Sequence, residues 1–340
     1  MVQEQVYRHG RGGEQVRPFA HAARVSCRGY SLGLQRVVTD FGADVSFARV
    51  PEKVREHYGI EVSASTVRAI TEGHGAALES ESEVSVELPL GGVTRLVTEM
   101  DGSMLPTVQM AEDKGDKRRQ RKVNWTEARL CLAGLPESVS RKYAATLGSV
   151  EEAGRQWKGC VVQAGGGRHT HLHCVGDAAS WIEAQAARQF GSQASYLVDF
   201  YHVSEYLAKA AVVVAPQSSQ AWLHTQQERL KKNQVVEVLA ALAPHCEAAA
   251  LPAAEAPVRV CQRYLRNHLA QLDYAGAIAA GLPIGSGEIE SSHRTVIQSR
   301  LKISGAWWLV ENAGKMLALR VTRANQEWKS YWTQLRQSNA

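Results

Sequence analysis

The sequence predicts an α/β protein with a helical N-terminal region and a long helical insertion. A helical period runs through residues 46–70, and strand-like alternation marks residues 94–133. Residues 169–211 follow the order strand, helix, strand, helix, which is typical of a parallel α/β segment. Residues 216–280 are Ala-rich, with a helical pattern and no strand signal.

Composition excludes several classes of protein. Of the 340 residues, 44% are hydrophobic and 21% are charged, which favours a packed core over global disorder. At about 150 residues per domain, this length suggests two domains. The six cysteines form no CxxC pair, so a cytoplasmic protein is expected rather than a disulfide scaffold. No secretory signal is evident, and no apolar run approaches the ~20 residues of a membrane span, so no membrane partner is expected.

The N-terminal region predicts a loose arm or a partial element, followed by two helices. Glycine and proline break any period in residues 1–45. A helix is predicted from residue 46 to Gly59, which ends it, and a second over residues 63–70 with Ser63 as the N-cap. This order fits a helix-turn-helix, and it fits an ordinary helical hairpin equally well. In the first case the side chains facing a DNA groove would be Ser65, Thr66 and Arg68.

Two aspartates are expected at strand ends. A strand over residues 94–100 is predicted to end at Asp101, before further strands at 104–110 and 125–133. A helix over 150–164 precedes a strand over 169–175, which leads into Asp177. Carboxylates at such positions commonly point into the crevice where ligands bind.

A third acidic residue, Glu290, lies in a glycine-flanked helix start. Any one of these acids could be a turn or cap residue. The three together, in this order of elements, are stronger evidence for a ligand site than any one alone. Three converging carboxylates would repel one another unless divalent cations neutralised them. Two such ions about 3.5–4 Å apart can activate water and stabilise the leaving oxygen of a phosphodiester.

Four segments within about residues 90–335 form a distinctive pattern. They are Asp101-Gly102-Ser103, Gly176-Asp177-Ala178-Ala179-Ser180-Trp181-Ile182, Asp199-Phe200-Tyr201-His202-Val203 and Gly285–Lys302. With these segments the chain resembles DDE transposases of bacterial insertion sequences, in particular the ISKra-four group, which is related to Mutator-like transposases. The family block has Gly where this chain has Ala178, and residues 1–45 show no clear zinc-binding pattern.

The resemblance implies an RNase H-like mixed sheet with flanking helices, interrupted by the helical insertion. It implies that Asp101, Asp177 and Glu290 hold two Mg²⁺ or Mn²⁺ ions. Glu288 is the alternative third carboxylate; it lies about 200° from Glu290 around a helix, so only one of the two can face the metals. Asp199 and His202 would bond into the site or position the DNA strand, or else form a helix cap with the histidine packed behind it.

The implied activity is metal-dependent strand cleavage and strand transfer on double-stranded DNA, at the element's ends and the target. A homo-oligomer is expected when the protein assembles on DNA. The alternatives are a catalytically silent DNA-binding protein derived from a transposase and a structure-selective nuclease with the same fold. Phosphate contacts are expected from a basic loop and from a basic helix after Glu290, at Lys117, Arg118, Arg119, Arg121, Lys122, Arg294, Arg300 and Lys302.

Four regions are therefore predicted: an arm with a helix-turn-helix-like region (1–80), the first part of the catalytic core (81–215), the helical insertion (216–280) and the C-terminal core helices (281–340).

Overall fold

The computed structural model describes residues 5–8, 15–22, 25–26, 29–81, 87–110 and 121–338. Lys117, Arg118 and Arg119 lie outside these ranges, as does the side chain of Arg121. The chain divides into two compact units. The helical unit comprises residues 1–84, 104–127 and 294–340, and the sheet unit comprises residues 85–103 and 128–293.

The described residues contain short N-terminal strand pairs, five longer strands and helices of three to eighteen residues. The strands are β1 (Tyr7–Arg8), β2 (Gln15–Val16), β3 (Val25–Ser26), β4 (Tyr30–Ser31), β5 (Arg95–Met110), β6 (Arg121–Gly134), β7 (Lys142–Thr146), β8 (His171–Gly176) and β9 (Ala194–Val198). The first helices are α1 (Pro18–Ala22), α2 (Leu32–Asp44), α3 (Val50–Tyr58), α4 (Ala64–Glu81), α5 (Val150–Gln163), α6 (Ser180–Phe190), α7 (Phe200–Val214) and α8 (Ser219–Lys231). They are followed by α9 (Val235–Leu242), α10 (Pro257–Asn267), α11 (Tyr274–Ala279), α12 (Gly287–Ser292), α13 (Ser299–Leu301), α14 (Val310–Ala324) and α15 (Trp328–Ser338).

The predicted α/β class is confirmed: a mixed sheet with strand order β7-β6-β5-β8-β9 is flanked by helices. β8 pairs in parallel with both β5 and β9, and β6 pairs antiparallel with β7. Trp157 of α5 and Phe190 of α6 pack with Leu96 of β5 in one buried cluster. The predicted helical segment 216–280 forms α8 to α11, whose apolar residues share a second cluster with Val198 of β9.

Three expectations about the elements were wrong. β5 does not end at Asp101 but continues to Met110, so Asp101 lies inside a strand. α2 occupies residues predicted to be a loose arm or a partial element, since Ser31 caps it and its buried residues follow a helical period. β7 was not predicted, because its five residues carry only a short and weak alternation.

α3 and α4 of the helical unit pack against α2 around Val38, Val54 and Ile70, in helix-turn-helix order. Gly59 ends α3 with φ of 64°, in the left-handed region that favours glycine. Ser63 caps α4 as predicted, with its Oγ accepting from the amide of Thr66 at 3.1 Å. α3 begins four residues later than predicted, and α4 continues well beyond residue 70.

Within the described ranges, every helix is too short or too polar to cross a lipid bilayer.

Candidate active site

Asp101 lies within β5, and Asp177 directly follows β8, the parallel neighbour of β5. The register pairs Glu99 of β5 with Val175 of β8, and each aspartate follows two residues further along the chain. A Cβ on Gly176 would lie 3.8 Å from the carbonyl oxygen of Met100, so the two strands remain adjacent up to the residue before each aspartate. The sheet register thus makes neighbours of the strand residues that precede the two aspartates.

Asp101 is held by its own strand and by a buried histidine. Its Oδ1 accepts from the amide of Gly102 at 2.7 Å, and its Oδ2 lies 3.4 Å from Nε2 of His293. The Asp101 side chain is 35% exposed, whereas that of His293 is 3% exposed. Sequence reasoning missed His293, although it lies three residues after Glu290 and so shares a helix face with it.

Asp177 lies in a tight turn between β8 and α6. Its Oδ1 accepts from the amide of Ala179 at 2.9 Å, and its backbone carbonyl accepts from the Tyr264 hydroxyl at 3.0 Å. Ala178 has φ of 63°, which a residue with a Cβ adopts only at a cost. Glycine would adopt this φ without strain, whereas Ala178 adopts it with some backbone strain.

Asp199 connects α7 to the loop that starts α12. Its Oδ1 accepts from the amides of Tyr201 at 2.6 Å and His202 at 3.2 Å, which caps α7. Its Oδ2 accepts from the amide of Ser286 at 2.7 Å and from the Ser286 hydroxyl. The buried carboxylate is therefore fully bonded, and it fixes where α12 begins.

His202 packs in an aromatic cluster next to this turn. Its ring centroid lies 5.4 Å from that of Tyr206 and 5.8 Å from that of Tyr264. Tyr264 also donates to the carbonyl of Asp177, so His202 packs against the side chain that holds the turn between β8 and α6.

Glu99 is a buried acid that sequence reasoning missed. It is 1% exposed, and its Oε2 accepts from the amide of Ile289 in α12 at 2.8 Å. Burial raises the pKa of Glu99 to about 8, so the carboxyl group is mostly protonated at neutral pH. An acid two residues before Asp101, on the same face of the predicted strand, was the available signal.

Glu288 and Glu290 have different surroundings. Glu288 forms an ion pair with Arg141, with 2.9 Å between Arg141 Nε and Glu288 Oε1. Glu290 is exposed, and its carboxylate forms no hydrogen bond or ion pair within the described part of the chain. Only Glu290 is therefore available to a ligand without breaking an existing ion pair.

The helical form of the backbone changes at His293, three residues after Glu290. Residues His293–Gln298 adopt a π-helix between α12 and α13. Such segments are rare and occur frequently at functional sites.

The metal-binding triad of Asp101, Asp177 and Glu290 stays a prediction. Among the residues that the structure describes, no group of three or more His, Cys, Asp or Glu side chains could hold a metal ion. The donor set itself is suitable, because carboxylate oxygens are the ligands that Mg²⁺ prefers.

The predicted DNA-contacting residues differ in exposure. Ser65, Arg68, Lys122, Arg294 and Lys302 are exposed, whereas Thr66 is buried beneath the N-cap of α4. Arg68 forms an ion pair with Glu72 at 3.1 Å.

The expectation that Arg300 contacts DNA phosphate is wrong, because Arg300 is 2% exposed and belongs to the core of the helical unit. Its Nε donates to the carbonyl of Gly42 at 2.9 Å, and its guanidinium lies over the rings of Phe47 and Trp308. Burial lowers the pKa of Arg300 to about 10, so the group stays charged at neutral pH and stabilises the core as a cation.

Comparison with known proteins adds no relative to this description: no protein-family model matches the chain, and no curated protein matches it significantly.

Proposed function

We propose that this chain is a DDE-type DNA transposase whose sheet unit is an RNase H-like catalytic core. The observation that supports the proposal is the parallel pairing of β5 with β8, which ends at Glu99 and Val175, two residues before Asp101 and Asp177. The four sequence segments that resemble insertion-sequence transposases support the same assignment. DNA, at the element's ends and at a target, is the proposed substrate.

In this proposal, Asp101, Asp177 and Glu290 would hold Mg²⁺ or Mn²⁺. When bound, the two ions would activate the attacking oxygen and stabilise the leaving oxygen of a phosphodiester. Glu290 is preferred over Glu288 because Arg141 already neutralises Glu288. Glu290 also shares a helix face with His293, which lies 3.4 Å from Asp101.

The remaining residues would position these acids. Asp199 and Glu99 hold the first turn of α12 through the amides of Ser286 and Ile289. His293 contacts Asp101, and Tyr264 holds the backbone of Asp177. The helix-turn-helix order of α3 and α4 supports DNA binding by the helical unit, with Arg68 on an exposed face.

The test is cleavage of a supercoiled plasmid that carries the DNA flanking the gene, with and without Mg²⁺. Asp101→Asn, Asp177→Asn and Glu290→Gln should each lower the rate by about 100-fold or more, since a metal ligand contributes several kcal/mol to the transition state. Glu288→Gln is the matched control on the same helix and should retain much more activity than Glu290→Gln. Full cleavage by Asp177→Asn and Glu290→Gln would refute the triad.

A second assay separates transposition from simple cleavage. Pre-cleaved end DNA with a free 3′-hydroxyl is incubated with target plasmid, and joined products are counted. A transposase joins the two DNAs, whereas a structure-selective nuclease with the same triad cuts without joining. A protein that binds DNA and does neither is the catalytically silent alternative.

A further inference from the structure

The helical unit contains a concave pocket of about 460 Å³, a size typical of small-ligand sites. Aromatic and polar side chains line it together, notably Phe47, Arg68, Glu72, Trp307, Trp308 and Asn312. Arg68 and Glu72 come from α4, the second helix of the helix-turn-helix pair, and Asn312 comes from α14. The pocket therefore lies on the part of this unit that the proposed function assigns to DNA.

Trp307 and Trp308 both line this pocket but differ in exposure. Trp308 is 7% exposed, and its Nε1 donates to the carbonyl of Leu301 at 3.0 Å. Its backbone carbonyl accepts from the amide of Val108 at 2.8 Å, which anchors the segment. Trp307 is 47% exposed, so the residue next to this anchor presents a large part of its indole ring to the pocket.

The polar groups that line the pocket favour a heteroaromatic ring. The Arg68 guanidinium pairs with the Glu72 carboxylate and its side chain is 58% exposed, whereas Arg300 is buried and donates to the carbonyl of Gly42. The Asn312 carboxamide offers both a donor and an acceptor. A heteroaromatic base can stack on the indole and bond at its edge to the exposed polar groups, which a purely apolar ligand cannot do.

We propose that this pocket binds a single unstacked nucleobase of DNA held by the helical unit, with Trp307 as its stacking surface. This inference rests on the proposed function only in that it requires DNA to be the ligand; it does not require cleavage. Moving a base out of a duplex costs free energy, and least where the base is unpaired, so the pocket should prefer single-stranded or mismatched DNA.

The experiment measures binding of the full chain to fluorescent single-stranded and duplex oligonucleotides in EDTA, where no metal-dependent cleavage occurs. Trp307→Ala should weaken single-strand binding by about 10-fold or more, and Trp307→Phe should recover much of it. Trp125→Ala is the matched control, because Trp125 is a tryptophan of similar exposure (56%) that does not line the pocket. Its affinity should stay near that of the unaltered protein.

A duplex with a central 2-aminopurine opposite a mismatch reports on the base itself. The unaltered protein and Trp125→Ala should change the emission of 2-aminopurine as the base leaves the duplex stack, and Trp307→Ala should not. Equal behaviour of Trp307→Ala and Trp125→Ala in both measurements would overturn the inference, even in a protein that cleaves DNA. A protein that never cleaves but shows the Trp307 dependence would refute the transposase proposal alone, and one that binds no DNA would refute both.

Discussion

Ala178, next to Asp177, has a backbone conformation that does not suit its side chain. Its φ of 63° costs a non-glycine residue about 1 kcal/mol or more. Ala178→Gly should therefore raise the free energy of unfolding by about 1 kcal/mol, measured by urea denaturation. Ala179→Gly is the control: Ala179 has φ of −60°, so glycine there should lower stability. A loss of stability in both variants would contradict the strain at Ala178.

His74 of the helical unit is half-buried in its neutral form. Gln35 Nε2 donates to the carbonyl of Tyr30, so Gln35 Oε1 accepts from His74 Nε2 at 3.0 Å. His74 Nδ1 therefore accepts from the Tyr331 hydroxyl, 2.7 Å away. Burial lowers the pKa of His74 to about 4, below its ordinary value near 6.5.

This shift predicts a loss of stability in mild acid. Between pH 6.5 and pH 4 the unfolded chain binds a proton at His74 that the folded chain excludes, so stability falls as the pH falls. From pH 7 to pH 5 the loss from this residue should be about 2 kcal/mol by urea denaturation. His74→Gln should show a shallower pH dependence, and the exposed His57→Gln should match the unaltered protein. Identical slopes in His74→Gln and the unaltered protein would show that His74 does not carry the effect.

At the scale of elements, α12 depends on bonds from the sheet unit. Its six residues are too few to form a stable helix alone, and Glu99 of β5 accepts from its Ile289 amide. Glu99→Leu leaves that buried amide unpaired, so the free energy of unfolding should fall by about 1–3 kcal/mol. Glu99→Gln keeps an acceptor and should be much less affected. DNA cleavage should follow the same order, at unchanged DNA affinity, because the helix that carries Glu290 would be displaced.

The sequence predicted elements whose signals are local. The order strand, helix, strand, helix over residues 169–211 was predicted and is found as β8, α6, β9 and α7, and α5 was predicted within one residue, with a cap at Ser149. The continuation of β5 beyond Asp101 was not foreseen, because Asp101-Gly102 resembles a strand end and only the neighbouring strands extend it. The partners of α12 depend on contacts such as Glu99 with Ile289, 190 residues apart, which no local pattern encodes.

At the scale of the whole molecule, a formal net charge of +5 is compatible with a polyanionic partner, and the exposed and buried basic residues should respond differently to substitution. Arg68→Ala should weaken duplex binding and lower the slope of log Kd against log salt by about 1, measured by fluorescence anisotropy. Arg300→Ala should instead lower the melting temperature, because it removes a buried hydrogen bond and two ring contacts. An unchanged salt slope in Arg68→Ala would remove this residue from the DNA interface.

The two bonds that hold α12 also have a consequence for local opening. Both Asp199 and Glu99 are buried and bind backbone amides at the start of this helix, so those amides can meet solvent only when the carboxyl groups release them. Hydrogen exchange at Ser286 and Ile289 should therefore be as slow as in the central strands, although both amides lie at a helix start where exchange is usually fast. The segment that presents Glu290 would then share the cooperative unfolding of the sheet unit.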